Sequence, residues 1–353
     1  MICFRTCIPK HLPLSKAQVK VSSLLLKQAK KTVQDYAEKL HQIPFPEQTL
    51  SVLIVQEALY SLQSQKIKVS IKKILLASFL RSRKHNPQLS QIFDYQKALL
   101  QAFVWIKRRH LSSALMKKIH AIVKKGAPRE LGRFRKKQNW IGKEGCPIEE
   151  AYFYPPKATL VPKYMHNLEC YGKLKEEALQ QLAIFFAQLL IIHPFMDGNG
   201  RVARIIIPLF LYKKAVLPFP LFFLSRYFKM NRIQYFKKLF AISENGDWQG
   251  WIRFFLKGII QEGAQGIKKM ERLEKLYQTV NALLLLETGK KNADKICRFF
   301  FQHPFFTEEH FCKKLKISNA LAKRLLKKLQ QSEILKNEEG KELVFWRFEI
   351  WHV

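Results

Sequence analysis

Apolar residues recur at intervals of three and four along most of this 353-residue chain, which is the spacing of amphipathic helices. In the first part of the chain this spacing predicts helices over 14–43, with Ser15 as a candidate N-cap, 49–65, a stretch that begins near Tyr95, and 111–125. Helical spacing returns over 174–192, 201–214, 232–242 and 247–262. We therefore predict a mainly α-helical fold.

Between these two groups, residues 126–162 break the helical pattern. The segment is dense in Gly, Pro and basic residues, and short β-prone pieces occur at 138–142 (QNWIG) and 151–156 (AYFYPP). Turn-forming residues around β-prone pieces predict a long loop that contains a β-hairpin. A loop of this length without a helix of its own is usually functional.

A polar segment, GKKNADK at 289–295, interrupts the pattern again, and we place a domain boundary there. Beyond it the sequence predicts a helix from Thr307 to Leu315, a short turn, a second helix from Ser318 to Gln331 and a β-ribbon that turns at 337–341. Helix, turn, helix and ribbon in this order are typical of a winged-helix domain.

Composition narrows the class of protein. Hydrophobic residues make up 48% and charged residues 25%, as in globular chains, and prolines or paired lysines interrupt the most apolar stretches before a bilayer-spanning length of roughly 18 residues. The six cysteines form no CxxC pair, which favours reduced thiols in a cytoplasmic, bacterial protein, with export as an effector left open. The net charge of +35 favours polyanionic partners, whether nucleic acid, nucleotide or an acidic protein surface, and we expect no membrane partner.

The most informative chemistry lies in HPFMDGNGR, residues 193–201. A proline ends one apolar helix and Arg201 begins the next, so this loop is predicted to lie at a helix N-terminus, where unpaired N–H groups and the helix dipole favour an anion. Gly198 and Gly200 let the backbone come close to phosphate oxygens. Arg201 and Arg204 are three residues apart on one face and can reach the same polyphosphate.

Two further side chains of this segment suit transfer chemistry. Asp197 offers a hard oxygen ligand for Mg²⁺ that bridges phosphates. His193 can take a proton near neutral pH and deprotonate an attacking hydroxyl. A base, a metal ligand, an anion site and two arginines within so short a stretch predict a phosphoryl- or nucleotidyl-transfer site.

These residues resemble a known family. HPFMDGNGRVAR at 193–204 matches without substitution the signature HPFx[DE]GN[GK]RxxR of the Fic (filamentation induced by cAMP) family. Four further segments are similar to family motifs: DYQKAL (94–99), LGRFRKKQNWIG (131–142), AYFYPP (151–156) and GDWQGWIRFFL (246–256). The resemblance extends over about residues 14–260, and a C-terminal winged helix is a common addition in the family.

The resemblance implies a Fic-type helical core with a β-hairpin flap, followed by a winged-helix domain. The implied activity is transfer of AMP from ATP, with Mg²⁺, to a Tyr, Ser or Thr hydroxyl of a protein target, which the flap would hold by strand addition. The implied domains are an N-terminal helical region at 1–92, the Fic core at 93–262, a connecting helix at 263–289 and the winged-helix domain at 290–353.

The resemblance also implies a role for each motif residue. His193 would be the base, and Asp197 would hold Mg²⁺. The phosphates would be bound by Gly198, Asn199 and Gly200 (α and β), Arg201 (β) and Arg204 (γ). Tyr235 and Phe236 match an aromatic pair that flanks the adenine in the family.

One departure from the family concerns control. Many members carry an inhibitory helix whose glutamate pairs with the second motif arginine and prevents productive ATP binding. The equivalent stretch here is EALYSLQSQK, residues 57–66, in which Ser61 matches the first motif position, while Gln65 stands in place of the glutamate and Lys66 in place of a glycine. A neutral amide loses the charge-assisted part of the contact with Arg204, so we predict weak or absent autoinhibition.

Other departures and other functions stay open. Leu190 stands where the family often has an acid, and Ser243 where an adenosine-contacting Asn is frequent, so transfer of another nucleotide (UMP or GMP) by the same site is an alternative. A second alternative is a DNA-binding regulator, because the second helix of the winged-helix segment brings together Lys323, Arg324, Lys327 and Lys328. The chain is expected to be a monomer or a homodimer.

Overall fold

The structure, a computed structural model, describes residues 8–44, 51–62, 69–80, 86–123, 131–142, 146–337 and 344–346. Helices make up most of this part of the chain, in agreement with the apolar spacing. Their bounds are α1 Ser23–Gln42, α2 Ser51–Leu62, α3 Ile71–Phe79, α4 Pro87–Arg108, α5 Ser113–Val123, α6 Val161–Lys173, α7 Ala178–Ile192, α8 Asn199–Lys213, α9 Ser225–Met230, α10 Arg232–Asn245, α11 Trp248–Thr288, α12 Lys290–Gln302, α13 Glu308–Leu315 and α14 Asn319–Gln331. The strands are β1 Phe305–Phe306, β2 Leu335–Asn337 and β3 Val344–Trp346.

Two helices with buried residues on all sides lie at the centre of the molecule. In α7, 12 of 15 residues are buried, and in α8, 11 of 15 are buried. A helix that is apolar all round must be enclosed by other elements. Helices α6 and α11 pack against α7, whereas α2, α4 and α5 pack against α8. The loop that joins them, residues 193–198, is therefore held between two buried helix ends.

The longest helix, α11, covers 41 residues. The sequence pattern predicts a helix at 247–262 and a connecting helix at 263–289, and the structure joins the two without a break. Asp247 caps the start, since its side chain accepts a hydrogen bond of 2.8 Å from the N–H of Gly250. The later half of α11 keeps a buried face with helical spacing, formed by Met270, Leu273, Leu276, Val280 and Leu284. No helix within the described ranges, α11 included, is long and apolar enough to cross a membrane.

Several helix predictions need correction. Helix α4 begins at Pro87, eight residues before the predicted start near Tyr95. The first helix begins at Ser23, not near Leu14, and its N-cap is Ser22, because Ser15 instead shares hydrogen bonds with Gln18 in a turn. Helix α6 was not predicted, since its Pro162 resembles part of the preceding loop. Proline is tolerated in the first turn of a helix, where its missing N–H would have no partner.

The predicted flap is seen as a single antiparallel bridge. Ile141 pairs with Phe153, and the Ile141 N–H donates to the Phe153 carbonyl oxygen at 3.0 Å. Residues 143–145 lie outside the described ranges, and short 3₁₀ helices follow at Ile148–Glu150 and Ala158–Leu160. The complete hairpin therefore stays a prediction.

The C-terminal segment combines helices with a small sheet. Helices α13 and α14 pack together, and the antiparallel sheet has the order β1-β3-β2, with Leu335 opposite Trp346. The residues of the predicted ribbon turn from 338 onward are outside the described part of the chain, so the winged-helix assignment stays a prediction. The polar segment 289–295 is helical from Lys290, because α12 buries the apolar residues that alternate with its polar ones. A domain boundary there also stays a prediction.

Candidate active site

The motif residues surround one cavity of about 280 Å³. It lies beside the 193–198 loop and the first turn of α8, and α2, α9 and α10 supply its other walls together with Ile141 and Phe153 of the bridge. The residues selected from the sequence that line it are Ser61, His193, Asp197, Gly198, Asn199, Gly200, Arg201, Arg204, Tyr235 and Phe236. The structure therefore brings segments up to about 180 residues apart into one site.

His193 ends α7 in the left-handed conformation, with φ at 49°. Its Nδ1 lies 3.3 Å from the carbonyl oxygen of Leu190, and because a carbonyl only accepts, Nδ1 carries the hydrogen and Nε2 keeps its lone pair. Burial lowers the pKa of His193 to about 4, an effect that outweighs the hydrogen bond to Leu190, and the charge of Arg135 acts in the same direction as burial. The imidazole is therefore neutral near pH 7 and able to accept a proton.

The start of α8 has the geometry of an anion site. Gly198 is its N-cap with φ at 82°, a conformation that is costly for residues with a Cβ. The N–H groups of the first helical turn have no acceptor within the helix and are available to an anion. At Gly200 a Cβ would lie 3.0 Å from Nη1 of Arg204, so a larger residue there would displace the end of this side chain. The two glycines thus open the backbone and make room for a guanidinium.

Asn199 uses its side chain within the loop. Its Nδ2 donates to the Phe195 carbonyl oxygen at 2.7 Å, and its Oδ1 accepts from the Phe195 N–H at 2.9 Å. The residue is buried. The side chain therefore closes the loop on itself, and contact of Asn199 with a phosphate would be through its backbone N–H.

The two motif arginines have different surroundings. Arg201 is buried and donates to the Val123 carbonyl oxygen at 3.2 Å, while its Nη2 lies 3.4 Å from a carboxylate oxygen of Asp197. Arg204 donates from Nε to the Ser61 hydroxyl and from Nη2 to the Ser61 carbonyl oxygen, both at 2.8 Å. Arg204 is therefore held against the last turn of α2 in this structure.

Asp197 is the motif carboxylate that reaches the cavity, with 55% of its side chain exposed. Its Oδ1 accepts from the Gly198 N–H at 2.5 Å. Mg²⁺ usually takes one or two carboxylates, keeps several waters and shares the phosphates of its substrate, so an exposed carboxylate at an anion site fits this ion. No cluster of three or more His, Cys, Asp or Glu side chains suited to a metal occurs in the described ranges.

The predicted adenine pair is divided between core and cavity. Tyr235 is buried and its ring lies 4.9 Å from that of Phe228 and 5.9 Å from that of Trp251, so packing occupies much of its surface. Phe236 is 37% exposed, and the guanidinium of Arg232 lies 5.5 Å above its ring. Ser243 also lines the cavity, and its buried hydroxyl has no hydrogen-bond partner within the described residues.

The candidate regulatory helix contacts the site through Ser61. Gln65 and Lys66, on which the loss of autoinhibition was predicted, lie outside the described residues. One turn before Ser61, the buried Glu57 accepts hydrogen bonds from the hydroxyls of Tyr95 at 2.9 Å and Ser225 at 2.6 Å. Burial raises the pKa of Glu57 to about 7, against the effect of these hydrogen bonds.

Three further residues, to which the sequence motifs assign no role, contact the motif loop and do not line the cavity: His120, Arg135 and Asn139. Arg135 and Asn139 lie within the LGRFRKKQNWIG segment, so the resemblance already pointed to them without a role. His120 lies on α5 with no local signal, since a lone histidine in an apolar helix is equally compatible with simple packing.

Comparison with known proteins agrees with this geometry. Residues 110–211, which run from the start of α5 almost to the end of α8, match the Fic/DOC family. The chain contains a Fic domain. The cavity described above is built around this domain, and α2 and α10 complete it from outside the matched residues.

Two named relatives are similar to part of this chain. A probable protein adenylyltransferase of Aquifex aeolicus is 26% identical over 179 residues, which are 48% of this chain and 52% of the relative. The protein adenylyltransferase fic-1 of Caenorhabditis elegans is 28% identical over 130 residues, 37% of this chain and 23% of the relative. The chain thus spans about half or less of the length of these relatives.

Solved structures agree in fold. A Fic family protein from Desulfovibrio desulfuricans G20 superimposes with a TM-score of 0.59 at 15% identity, over 95% of this chain and 97% of that one. Fic-1 from C. elegans (residues 134–508) superimposes with a TM-score of 0.51 at 18% identity, over 70% of this chain and 72% of that one. At these identities the likeness establishes the Fic fold and not the reaction.

Proposed function

We propose that this protein transfers AMP from ATP to a hydroxyl side chain of a protein target. The observation that carries the proposal is one cavity in which a neutral imidazole, a helix N-terminus and two arginines face each other. Its volume of about 280 Å³ is near the lower end of the range for ligand sites, about 300–1,000 Å³. The relatives in Aquifex and Caenorhabditis, both named protein adenylyltransferases, support the same reaction.

The base in this proposal is Nε2 of His193. The acceptor hydroxyl oxygen attacks the α-phosphorus of ATP and forms a new P–O bond, while the bond to the leaving pyrophosphate breaks. The hydroxyl proton passes to Nε2, which the hydrogen bond from Nδ1 to Leu190 leaves as the acceptor. A histidine that stays neutral well below pH 7 is available for this step at every physiological pH.

The phosphates would be bound by the first turn of α8 and by the arginines. The N–H groups at residues 198–200 would surround the α- and β-phosphates once the Gly198 N–H leaves the Asp197 carboxylate that it contacts here, and Arg201 would neutralise the β-phosphate. Arg204 would have to leave Ser61 to reach a γ-phosphate. Asp197 would hold Mg²⁺, which when bound neutralises phosphate charge.

Mass spectrometry of the full-length protein incubated with ATP and Mg²⁺ tests the proposal. We expect an AMP adduct on the protein itself or on a protein in a lysate, and its loss in His193→Ala by at least about 10²-fold, as for a general base. Activity should show no acid limb near the ordinary histidine pKa, because the pKa of His193 lies near 4. An adduct that persists in His193→Ala, or none in the wild type, would contradict the proposal.

The identity of the nucleotide is a separate question. Ser243 lines the cavity where an Asn is frequent in the family, and its shorter side chain with a buried hydroxyl changes the groups available to a base. Incubation with equal concentrations of ATP, UTP and GTP distinguishes the alternatives. We expect the AMP adduct to dominate, and a larger UMP or GMP adduct would reassign the donor.

We further propose that autoinhibition is weak in this chain. Ser61 bonds Arg204 through neutral oxygens only. These bonds carry charge on the guanidinium alone and lack the attraction of a carboxylate partner. ATP, with its charged phosphates, would therefore displace Ser61 more readily than it would displace a glutamate.

A DNA-binding role through α14 is the second candidate. Lys323 and Lys327 are exposed on this helix, whereas Arg324 and Lys328 form ion pairs with Glu287 of α11 at 3.2 and 2.9 Å. Two of the four basic residues are thus already engaged within the chain. A salt-dependent gel shift of the full chain that is weakened in the double variant K323E/K327E would support DNA contact. No shift at low salt would contradict it.

A further inference from the structure

The carbonyl groups of five consecutive loop residues, 193–197, accept hydrogen bonds from residues outside the motif. The Arg135 side chain donates from Nε to the carbonyl oxygen of residue 193 and its backbone N–H donates to that of residue 194, both at 2.9 Å. Nδ2 of Asn139 lies 3.0 Å from the carbonyl oxygen of residue 195 and 3.4 Å from that of residue 196. Nε2 of His120 lies 3.0 Å from the carbonyl oxygen of residue 197. We call His120, Arg135 and Asn139 the brace residues.

The brace residues are themselves fixed. All three are buried. The Gly132 N–H donates to Nδ1 of His120 at 3.1 Å, so the hydrogen of this imidazole is on Nε2 and points to the loop. The His120 ring also stacks on Phe195 with a centroid distance of 4.0 Å and an interplanar angle of 5°. A side chain with both nitrogens bonded and one face stacked has little freedom to move.

The direction of these carbonyls determines the direction of the loop's N–H groups. In a trans peptide the C=O of one residue and the N–H of the next point to opposite sides. The brace residues do not line the cavity. Residue 194 is a proline without an N–H, and the Phe195 N–H donates to the Asn199 side chain. The carbonyls of residues 195–197, which Asn139 and His120 hold, therefore turn the N–H groups of residues 196–198 away from these two side chains. An anion site made of backbone N–H groups depends on this orientation.

We propose that the brace residues are positioning residues for the nucleotide, and that His120 is the most important of them. His120 holds the peptide bond between Asp197 and Gly198, that is, the backbone of the Mg²⁺ ligand and the N-cap of α8. The N–H of this peptide already contacts the Asp197 carboxylate at 2.5 Å. That the brace residues position a nucleotide rests on the proposed function. That they fix the conformation of the 193–198 loop does not depend on it.

Two substitutions at His120 and one control separate positioning from packing. His120→Phe keeps a ring against Phe195 and removes both hydrogen bonds. His120→Gln replaces the ring by an amide that can donate to the Asp197 carbonyl oxygen and accept from Gly132. The control, Phe134→Leu, reduces packing on the Phe195 ring, whose centroid lies 5.7 Å from that of Phe134, without touching a loop carbonyl.

The first measurement is hydrogen exchange of the 193–200 backbone in the full-length protein, with melting temperature as the reference for general destabilisation. We expect exchange at 193–200 to be at least about tenfold faster in His120→Phe. In this variant the loop can open locally without breaking the two hydrogen bonds that His120 makes to Asp197 and Gly132. His120→Gln should recover much of the protection, and Phe134→Leu should lower the melting temperature without a selective change in the loop. Equal exchange rates at 193–200 in His120→Phe and Phe134→Leu would contradict the proposal that His120 holds the loop through its hydrogen bonds.

The second measurement is the Kd of ADP with Mg²⁺ by calorimetry. We expect His120→Phe to weaken ADP binding by about tenfold or more, since displacement of an aligned site by a fraction of an ångström is costly. Phe134→Leu should bind like the wild type. If His120→Phe exchanges faster in the loop but binds ADP with unchanged affinity, His120 does not position the nucleotide, and its role is to stabilise the loop. Wild type that binds neither ADP nor ATP would overturn both the proposed function and this role, and the loop exchange would still report whether the brace exists.

Discussion

Two regions that border the cavity are built in different ways. The 193–198 loop is held by a dense set of hydrogen bonds from its own Asn199 and from His120, Arg135 and Asn139. The last turn of α2 holds Arg204 through Ser61 and its carbonyl group, 143 residues away in sequence. Many hydrogen bonds hold the loop in one conformation, so a single substitution within it should disturb several of them. The contact between α2 and Arg204 rests on one residue, so a single substitution should only make it weaker or stronger.

The largest effect is expected from Gly198→Ala. The φ of 82° costs a residue with a Cβ about 1–2 kcal/mol, and relaxation of the backbone would turn the N–H groups away from the phosphates. We expect AMP transfer to fall by at least about tenfold. The control is Gly246→Ala, which has a similar φ of 69° and open space around a new Cβ. It should lose similar stability in thermal unfolding and retain transfer, and equal activity of the two variants would contradict a specific role for the loop.

A negative charge at position 65, three residues beyond α2 in the sequence, should restrain Arg204 more strongly if the resemblance to the inhibitory motif holds. Gln65→Glu restores the acid expected of an inhibitory helix, and a hydrogen bond between charged groups is worth about 1.5–3 kcal/mol. We therefore expect automodification to fall by about tenfold. The matched control is Gln63→Glu, which adds the same charge two positions earlier. Unchanged automodification in Gln65→Glu would contradict the prediction that this chain has lost its inhibitory charge.

Removal of the Ser61 hydroxyl should have a smaller, opposite effect. Ser61→Ala leaves Arg204 with the carbonyl contact alone, so the arginine is released to ATP at lower cost. We expect ATP to bind several-fold more tightly, measured by calorimetry. Ser225→Ala provides the comparison, since it removes a buried hydroxyl next to the same helix but one that donates to Glu57. Weaker ATP binding in Ser61→Ala would mean that Ser61 aligns Arg204 and does not restrain it.

The smallest effect on activity is expected at Glu57. Its pKa is raised from 4.5 to about 7 by burial, so the folded protein binds a proton more tightly than the unfolded chain between these values. The contribution of Glu57 to the free energy of unfolding is fully present below about pH 4.5 and is lost as the pH rises through about 7. Glu57→Gln should therefore flatten the fall in melting temperature between pH 5 and about pH 8, with little change in transfer. A slope identical to that of the wild type would contradict a buried, protonated Glu57.

Local patterns were enough to predict most helices and the composition of the site. Helical spacing identified the region of most long helices but not of α6, whose Pro162 is also typical of a loop, nor of α12, whose first turns are polar. The motif segment predicted one side of the cavity because nine consecutive positions contain the candidate base, the carboxylate, the glycines and an arginine. Boundaries were less accurate, as at Ser22, because several serines could serve as a cap and only packing selects one.

Long-range partners could not be predicted in the same way. His120 is an ordinary residue of an amphipathic helix by sequence, and its role depends on the packing of α5 beside the motif loop. Ser61 was selected from a motif, but its bond to Arg204 depends on α2 lying across the start of α8. Likewise, Asn199 was expected to bind phosphate, and its side chain is instead committed to Phe195.

The sequence alone was enough to predict that the chain is helical, to select residues 193–204 as the candidate site, and to show that Gln65 stands where the family motif has an acid. These properties follow from residue type and short-range spacing, which backbone geometry converts directly into helices, caps and N-terminal anion sites. The tertiary structure alone decided that His193 is neutral, that Arg204 rests on Ser61 and that three distant side chains hold the loop. These depend on burial and on contacts between segments far apart in sequence, and neither quantity is encoded in any short stretch of the chain.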